Sequence, residues 1–104
     1  MVTNDSIAGH RAVRSLGPVF GLTVRTRGMG GNFMAGLRSI VGGEVLQYTQ
    51  MLEEARREAL DRLARNAAAM GANAVVTMRF DGSEIGETMS EIVAYGTAVV
   101  VEPE

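Results

Sequence analysis

The 104-residue chain has no cysteine and no tryptophan, a single histidine, two prolines, and only two tyrosines and three phenylalanines. Without thiols, disulfides, thiolate nucleophiles and thiolate metal sites are excluded together. The scarcity of aromatics leaves little to stack on bases or sugars. A net charge of −2 gives no electrostatic case for nucleic acid or an anionic membrane. No apolar run approaches the roughly 20 residues that a membrane helix needs. The opening MVTNDSIAGHR lacks the apolar centre of a secretory signal. These absences lead to the expectation of a cytoplasmic protein with one domain over residues 1–104. A chain of this size buries roughly 60–70% of its unfolded surface, enough for one core.

The dominant feature that is present is one long helix, expected from Glu44 to Met70. Tyr48, Leu52, Ala55, Ala59, Leu63, Ala67 and Met70 recur at steps of four and three, which puts them on one face. The alanines let the helix sit close to a sheet. The opposite face carries acid-then-base pairs at i,i+4: Glu53–Arg57, Glu58–Arg62 and Asp61–Arg65. Such regular alternation reads as a solvated, salt-bridged face, because arginine would neutralise a catalytic or metal-binding carboxylate. Gly42-Gly43 marks the start, and Gly71 suits the left-handed position just past the end. A second flank, Leu60, Ala64 and Ala68, is also small or apolar. A helix with two apolar flanks commonly has two neighbours, and a second subunit is one way to supply the other.

The remaining segments alternate like strands. Residues 1–9 are polar and expected to be frayed or loosely docked. Arg11–Thr26 reads as a first strand, either bent at Gly17-Pro18 with a bulge or split there into two collinear pieces. The loop Arg27–Asn32 leads into a short helix through Phe33, Met34, Leu37, Ile40 and Val41, with Asn32 as its N-cap. Ala74–Phe80 is a strand with Val76, Met78 and Phe80 on one face. A turn falls somewhere in 82–88. Met89–Val101 is nearly continuous apolar at its end, as for a central strand covered on both faces, and Gly96 within it marks a bulge or a close approach of the helix. The expected fold is α+β: a β-α-β-β two-layer unit in which the last two strands form a hairpin, the first strand pairs with the last, and the long helix covers one face of a three-stranded, mainly antiparallel sheet. This arrangement leaves more apolar surface than two layers hide, and homo-oligomerisation is the economical answer.

Candidate chemistry is sparse, and no catalytic residue is assigned. His10 stands alone in a polar stretch, with no second histidine to form a metal site. Seven methionines, at positions 1, 29, 34, 51, 70, 78 and 89, read as core filling rather than a Cu(I) site. The loop RGMGGN is the most suggestive piece, since glycines expose backbone N–H groups ahead of a helix N-terminus. Arg25, Arg27, Gly30, Gly31 and Asn32 are therefore the candidate anion-binding residues. The spacing matches neither a Walker A loop nor a dinucleotide turn.

The run from Met34 to Gly43 (MAGLRSIVGG), the helix carrying Tyr48 and Glu54-Ala55-Arg56, the exit Met70-Gly71-Ala72-Asn73-Ala74-Val75-Val76, and Gly96-Thr97-Ala98-Val99 together resemble the YbjQ family of small bacterial proteins. The resemblance covers about two thirds of the chain; where that family usually has Asp after Gly-Ala, this chain has Asn73. It implies a dodecin-like subunit assembled as a ring-like homopentamer, in a family labelled heavy-metal-binding. It carries over no established reaction, cofactor or ligand residue. The leading expectation is a non-enzymatic homo-oligomeric binding or scaffold protein. The alternative is a binder of a small anion or metal ion at an inter-subunit or axial cavity. An enzyme ranks last.

Overall fold

A computed structural model describes residues 1–26, 43–86 and 89–104. In chain order these form β1 (His10–Thr26), α1 (Gly43–Ala69), β2 (Ala74–Ile85) and β3 (Met89–Pro103). The sheet order is β1-β3-β2, antiparallel throughout. The helix expected over 33–41 lies outside the described residues. The α+β architecture read from the sequence is therefore the observed one, with the first strand paired to the last.

The helix begins and ends within a residue of its expected bounds. At its C-terminus Gly71 has φ 92°. Its amide donates to the Ala68 carbonyl at 3.0 Å and the Ala72 amide donates to the Ala67 carbonyl at 3.1 Å, the paired bonds of a Schellman stop. Ala55, Ala59 and Leu63 are fully buried and Ala67 nearly so, whereas Met70 at the end of the stripe is 40% exposed. All three i,i+4 ion pairs form on the outer face, with Glu53–Arg57 at 3.9 Å and Glu58–Arg62 at 2.6 Å. Leu60 packs against the core edge, while Ala64 and Ala68 on the second flank are exposed.

The alanine stripe meets a matching glycine on the sheet. A Cβ added to Gly21 would collide with the Ala59 carbonyl oxygen and the Leu63 amide nitrogen, and would lie 2.8 Å from the Leu63 Cα. The helix backbone therefore rests directly on β1 at this point. Val19, Ala94, Ala98, Val75 and Met78 complete the core around this contact. The helix lies mainly over β1 and β3 and barely touches β2.

Of the two readings of the first strand, the single edge strand with a bulge is the observed one: β1 runs through Gly17-Pro18, because register shifts at Ala12/Arg14 and Ser15/Gly17 absorb the irregularity and an edge strand tolerates a missing donor. Other sequence expectations are corrected. β2 runs past its expected end at Phe80, through Asp81-Gly82 and on to Ile85, paired with β3 to its end, and the turn begins at Gly86, inside the expected 82–88. Its alternation breaks at Thr77, which has φ 54° beside a register shift between Val76 and Arg79, so Val75, Val76 and Met78 are all buried. The room that Gly96 provides is taken by this bulged strand, with Val75 Cγ1 2.7 Å from an added Cβ, and not by the helix.

The N-terminus is docked rather than frayed. The Val2 amide donates to the Val75 carbonyl at 2.9 Å, the Met78 amide to the Val2 carbonyl at 3.0 Å and the Thr77 amide to the Asn4 carbonyl at 2.7 Å. Arg79 adds a bond to the Thr3 carbonyl at 2.9 Å. These residues line the outer edge of β2. Main-chain pairing of this kind depends little on side-chain polarity, which is why a polar sequence can form it.

Asn73 closes the other end of the β2–β3 ladder. Its amide group donates to the Val101 carbonyl at 3.0 Å and accepts from the Val101 amide at 2.8 Å. Asn73→Ala removes both bonds and is expected to cost about 1–2 kcal/mol at this exposed position. Chemical denaturation of the variant checks this; an unchanged midpoint would mean that water replaces the clasp at no cost.

β3 is central, but only one of its faces is covered among the described residues. Val19, Gly21 and Thr23 of β1 face the helix, so alternation puts Phe20, Leu22 and Val24 on the opposite side. The register sets Phe20 against Tyr95 and Leu22 against Val93. Phe20 is 55% exposed, and its ring lies 6.3 Å from that of Tyr95. The chain is elongated, 56 × 23 × 16 Å, with a radius of gyration of 17.3 Å, where a compact domain of about 100 residues has roughly 13 Å.

Candidate functional site

Of the five candidate anion-binding residues, Arg27, Gly30, Gly31 and Asn32 lie outside the described residues. Arg25 is described, and it is engaged by the protein. Its guanidinium donates to Glu58 of the helix. Glu58 is the centre of a small polar seam between α1 and β1. Its Oε1 also accepts from the Thr23 hydroxyl at 3.3 Å and pairs with Arg62 at 2.6 Å. Arg62 in turn donates to the Leu22 carbonyl at 2.7 Å, and Asn66 donates to the Phe20 carbonyl at 2.7 Å. Glu58, Arg62 and Asn66 recur every four residues, so one helix edge presents three polar groups in a row to the edge strand. The sequence reading recognised the Glu58–Arg62 pair but not its reach to β1, since neither Thr23 nor two backbone carbonyls announce themselves as partners.

This seam orients the helix more than it offers a binding surface. Thr23 is the buried polar side chain at its inner end, 2% exposed. Glu58→Ala strands that hydroxyl and unpairs Arg25, and is expected to cost about 1–3 kcal/mol. With Thr23→Val in the same chain the loss should be smaller than the sum of the two single losses, because the orphaned donor is gone. Strict additivity in that double-mutant cycle would show that the two groups do not interact.

Two hollows flank the helix on its β2 side. One, about 190 Å³, is walled by Ala64, Ala67, Ala68, Met1, Ala72 and Val75. The other, also about 190 Å³, is lined by Arg56, Phe80, Asp81, Gly82 and Ile92. In the second, the Arg56 guanidinium lies 5.5 Å above the centre of the Phe80 ring, a cation–π contact worth about 0.5–1 kcal/mol at an exposed site. Arg56 makes no ion pair among the described residues, in contrast to Arg57, Arg62 and Arg65 beside it.

A matching family model, described as "Putative heavy-metal-binding", spans residues 1–102. The chain belongs to the YbjQ family. A UPF0145 protein of Bradyrhizobium sp. (strain ORS 278) is 69% identical over 99% of this chain and 93% of its own length. Another, of Picrophilus torridus, is 58% identical over 99% of this chain and 87% of its own. The relatives include archaeal proteins, so the YbjQ family is not confined to bacteria. The crystal structure of a protein of unknown function of the DUF74 family from Pediococcus pentosaceus superposes with a TM-score of 0.64. It is 13% identical, and the match covers 97% of this chain and 95% of that one; it shows the fold.

The donor set of this YbjQ member does not fit the soft heavy-metal site that the family description suggests. The whole sequence supplies no thiolate and one imidazole, the donors that such ions prefer. Among the described residues no three of His, Cys, Asp and Glu gather where they could hold a metal ion. His10 stands at the start of β1 with its Nδ1 3.1 Å from the Ala8 carbonyl. No helix among the described residues is long and apolar enough to cross a membrane.

Proposed function

We propose that this YbjQ-family chain is a non-enzymatic, homo-oligomeric binding or scaffold protein that works as a ring-like pentamer. The observation that supports this reading is the apolar face of the sheet that the described residues leave uncovered, with Phe20, Leu22 and Val24 each more than 40% exposed. Its elongated chain adds to the case, because a subunit that assembles need not be compact alone. Native mass spectrometry of the untagged protein tests it. The expected result is a single pentameric species, and a monodisperse monomer at micromolar concentration rules the reading out.

A second reading, binding of a small anion at an inter-subunit or axial cavity, has one observation in its favour. Arg56 sits in a hollow beside an aromatic ring with no carboxylate paired to it among the described residues. Thermal denaturation with phosphate, nucleotides and divalent metals separates these cases. A ligand present at 100 times its dissociation constant adds about 2.7 kcal/mol, so an unmoved transition across the panel counts against any such ligand.

A further inference from the structure

β1 is both long and at the edge of the sheet. It runs for 17 residues, about three times the commonest strand length, and among the described residues its strand neighbour is β3 alone. Such an edge carries a row of main-chain donors and acceptors that can template another strand. Along an antiparallel strand, alternate residues turn their N–H and C=O groups to the same side. From Gly17 to Thr26 the register with β3 is unbroken. Pro18, Phe20, Leu22 and Val24 therefore share one side, and Val19, Gly21 and Thr23 share the other. The Phe20 and Leu22 carbonyls accept from helix side chains, which places the first set on the side away from β3.

That outer side is interrupted along most of its length. Between His10 and Gly17 the register shifts twice, at Ala12/Arg14 and Ser15/Gly17, and bulges break the even spacing that an added strand needs. Pro18 offers no N–H. At Phe20 and Leu22 the carbonyls are taken, by the Asn66 amide and the Arg62 guanidinium, each at 2.7 Å. Arg62 is itself held by Glu58 at 2.6 Å, and Glu58 pairs with Arg25. The helix reaches this edge because its backbone rests on β1 at Gly21. The other edge strand, β2, is occupied by different means: Val2 and Asn4 bond to the main chain of Val75, Thr77 and Met78.

We infer that Arg62 and Asn66, with Glu58 positioning Arg62, close the outer edge of β1 to strand addition. The segment kept off is β1 of a second copy, which carries the same main-chain groups at the same spacing. This role is distinct from orienting the helix, and it does not depend on the assembly proposed above, because it concerns the strand edge and not the apolar face. The side chains of Phe20, Leu22 and Val24 make the guard necessary. They stand exposed beside that edge, so a strand that paired there would extend the apolar face as well as the ladder, and each gain would reinforce the other.

Residue-resolved amide hydrogen exchange and native mass spectrometry of the full chain test this. In the wild-type protein the Phe20 and Leu22 amides should exchange faster than those of Gly21 and Thr23, which face β3. Equal protection of the two sets would overturn the inference, since a strand would already be paired at that edge; this comparison needs no variant. The double variant Arg62→Ala/Asn66→Ala is expected to form species larger than the wild type at the same concentration, with the Phe20 and Leu22 amides slowed within them. Asn66→Ala alone keeps the Glu58–Arg62 pair; it should shift in the same direction, and it answers the same question if the double variant fails to fold. Asn73→Ala is the control, because it also loses two hydrogen bonds but leaves the outer edge of β1 untouched, and it should keep the wild-type mass. Guard variants that keep the wild-type mass, or that grow while those two amides still exchange fast, would overturn the inference. Equal growth of the control would do the same, by showing that lost stability alone drives association.

Discussion

Gly21→Ala is expected to lower the stability of the protein by about 3 kcal/mol, an effect at the upper end for overpacking by one methyl group. The reason is local and rigid. The atoms that a Cβ would strike are the Ala59 carbonyl oxygen, the Leu63 amide nitrogen and the Leu63 Cα, all of them helix backbone. A flexible side chain could rotate away, but a helix backbone must move as a body. Lifting α1 off β1 also lengthens the Arg62–Leu22 and Asn66–Phe20 bonds that tie it there. Gly82→Ala is the matched control. Its new methyl group meets the Glu91 carbonyl oxygen at 3.5 Å, an ordinary contact, and its cost should stay within about 0.5 kcal/mol. Urea denaturation at one fixed protein concentration compares the two, since assembly makes apparent stability concentration-dependent. Equal midpoints would show that the helix can settle elsewhere on the sheet.

Leu63→Ala should be at least as damaging, at about 3–4 kcal/mol. Leu63 is the largest side chain in the protein that is fully buried among the described residues. The groups around it are mostly small: Ala55, Ala59, Ala67, Ala94 and Ala98 share its core. A core built of alanines has little side-chain length with which to collapse into a vacated space. The cavity should therefore persist, and the loss should lie in the upper part of the range for leucine truncation. Leu63→Met, which roughly conserves volume, is expected to cost less than about 1.5 kcal/mol. A loss below 1 kcal/mol for Leu63→Ala would mean that the alanine layer rearranges after all.

The helix was the most legible element because three independent signals agree on it: the apolar period, the ion pairs at i,i+4 and the glycine stop. The central place of β3 was legible from its unbroken apolar end. Gly21 was not. Within Val-Phe-Gly-Leu it reads as a weak spot in a strand, and only the position of the helix reveals why a side chain cannot stand there. β2 runs past Asp81-Gly82 because pairing with β3 outweighs a local turn preference. The docking of Val2–Asn4 left no trace in the sequence, being made by main-chain groups. The candidate anion loop rests on its glycines, a following helix N-terminus and nearby arginines, and the one candidate that is described, Arg25, answers to Glu58, a partner 33 residues away that no local pattern could name. The exposed face of the sheet followed from counting apolar positions, but its composition of Phe20, Leu22, Val24 and Tyr95 required the register.

The strand order has a consequence for how the molecule comes into being. Among the described residues both β1 and β2 have β3 as their strand partner, and β3 follows them both in the sequence, with His10 meeting Pro103. During synthesis the first strand therefore waits for its strand partner while α1 and β2 are added. Among the described residues no two strands can pair before Met89 emerges, and the β1–β3 pairing closes long loops, which slows folding. The nascent protein carries Phe20, Leu22 and Val24 uncovered through that interval, when such surfaces are most prone to aggregate. Losing β3 would remove the strand partner of both others, leaving β2 with its main-chain bonds to Val2 and Asn4 and β1 with the helix alone among the described residues.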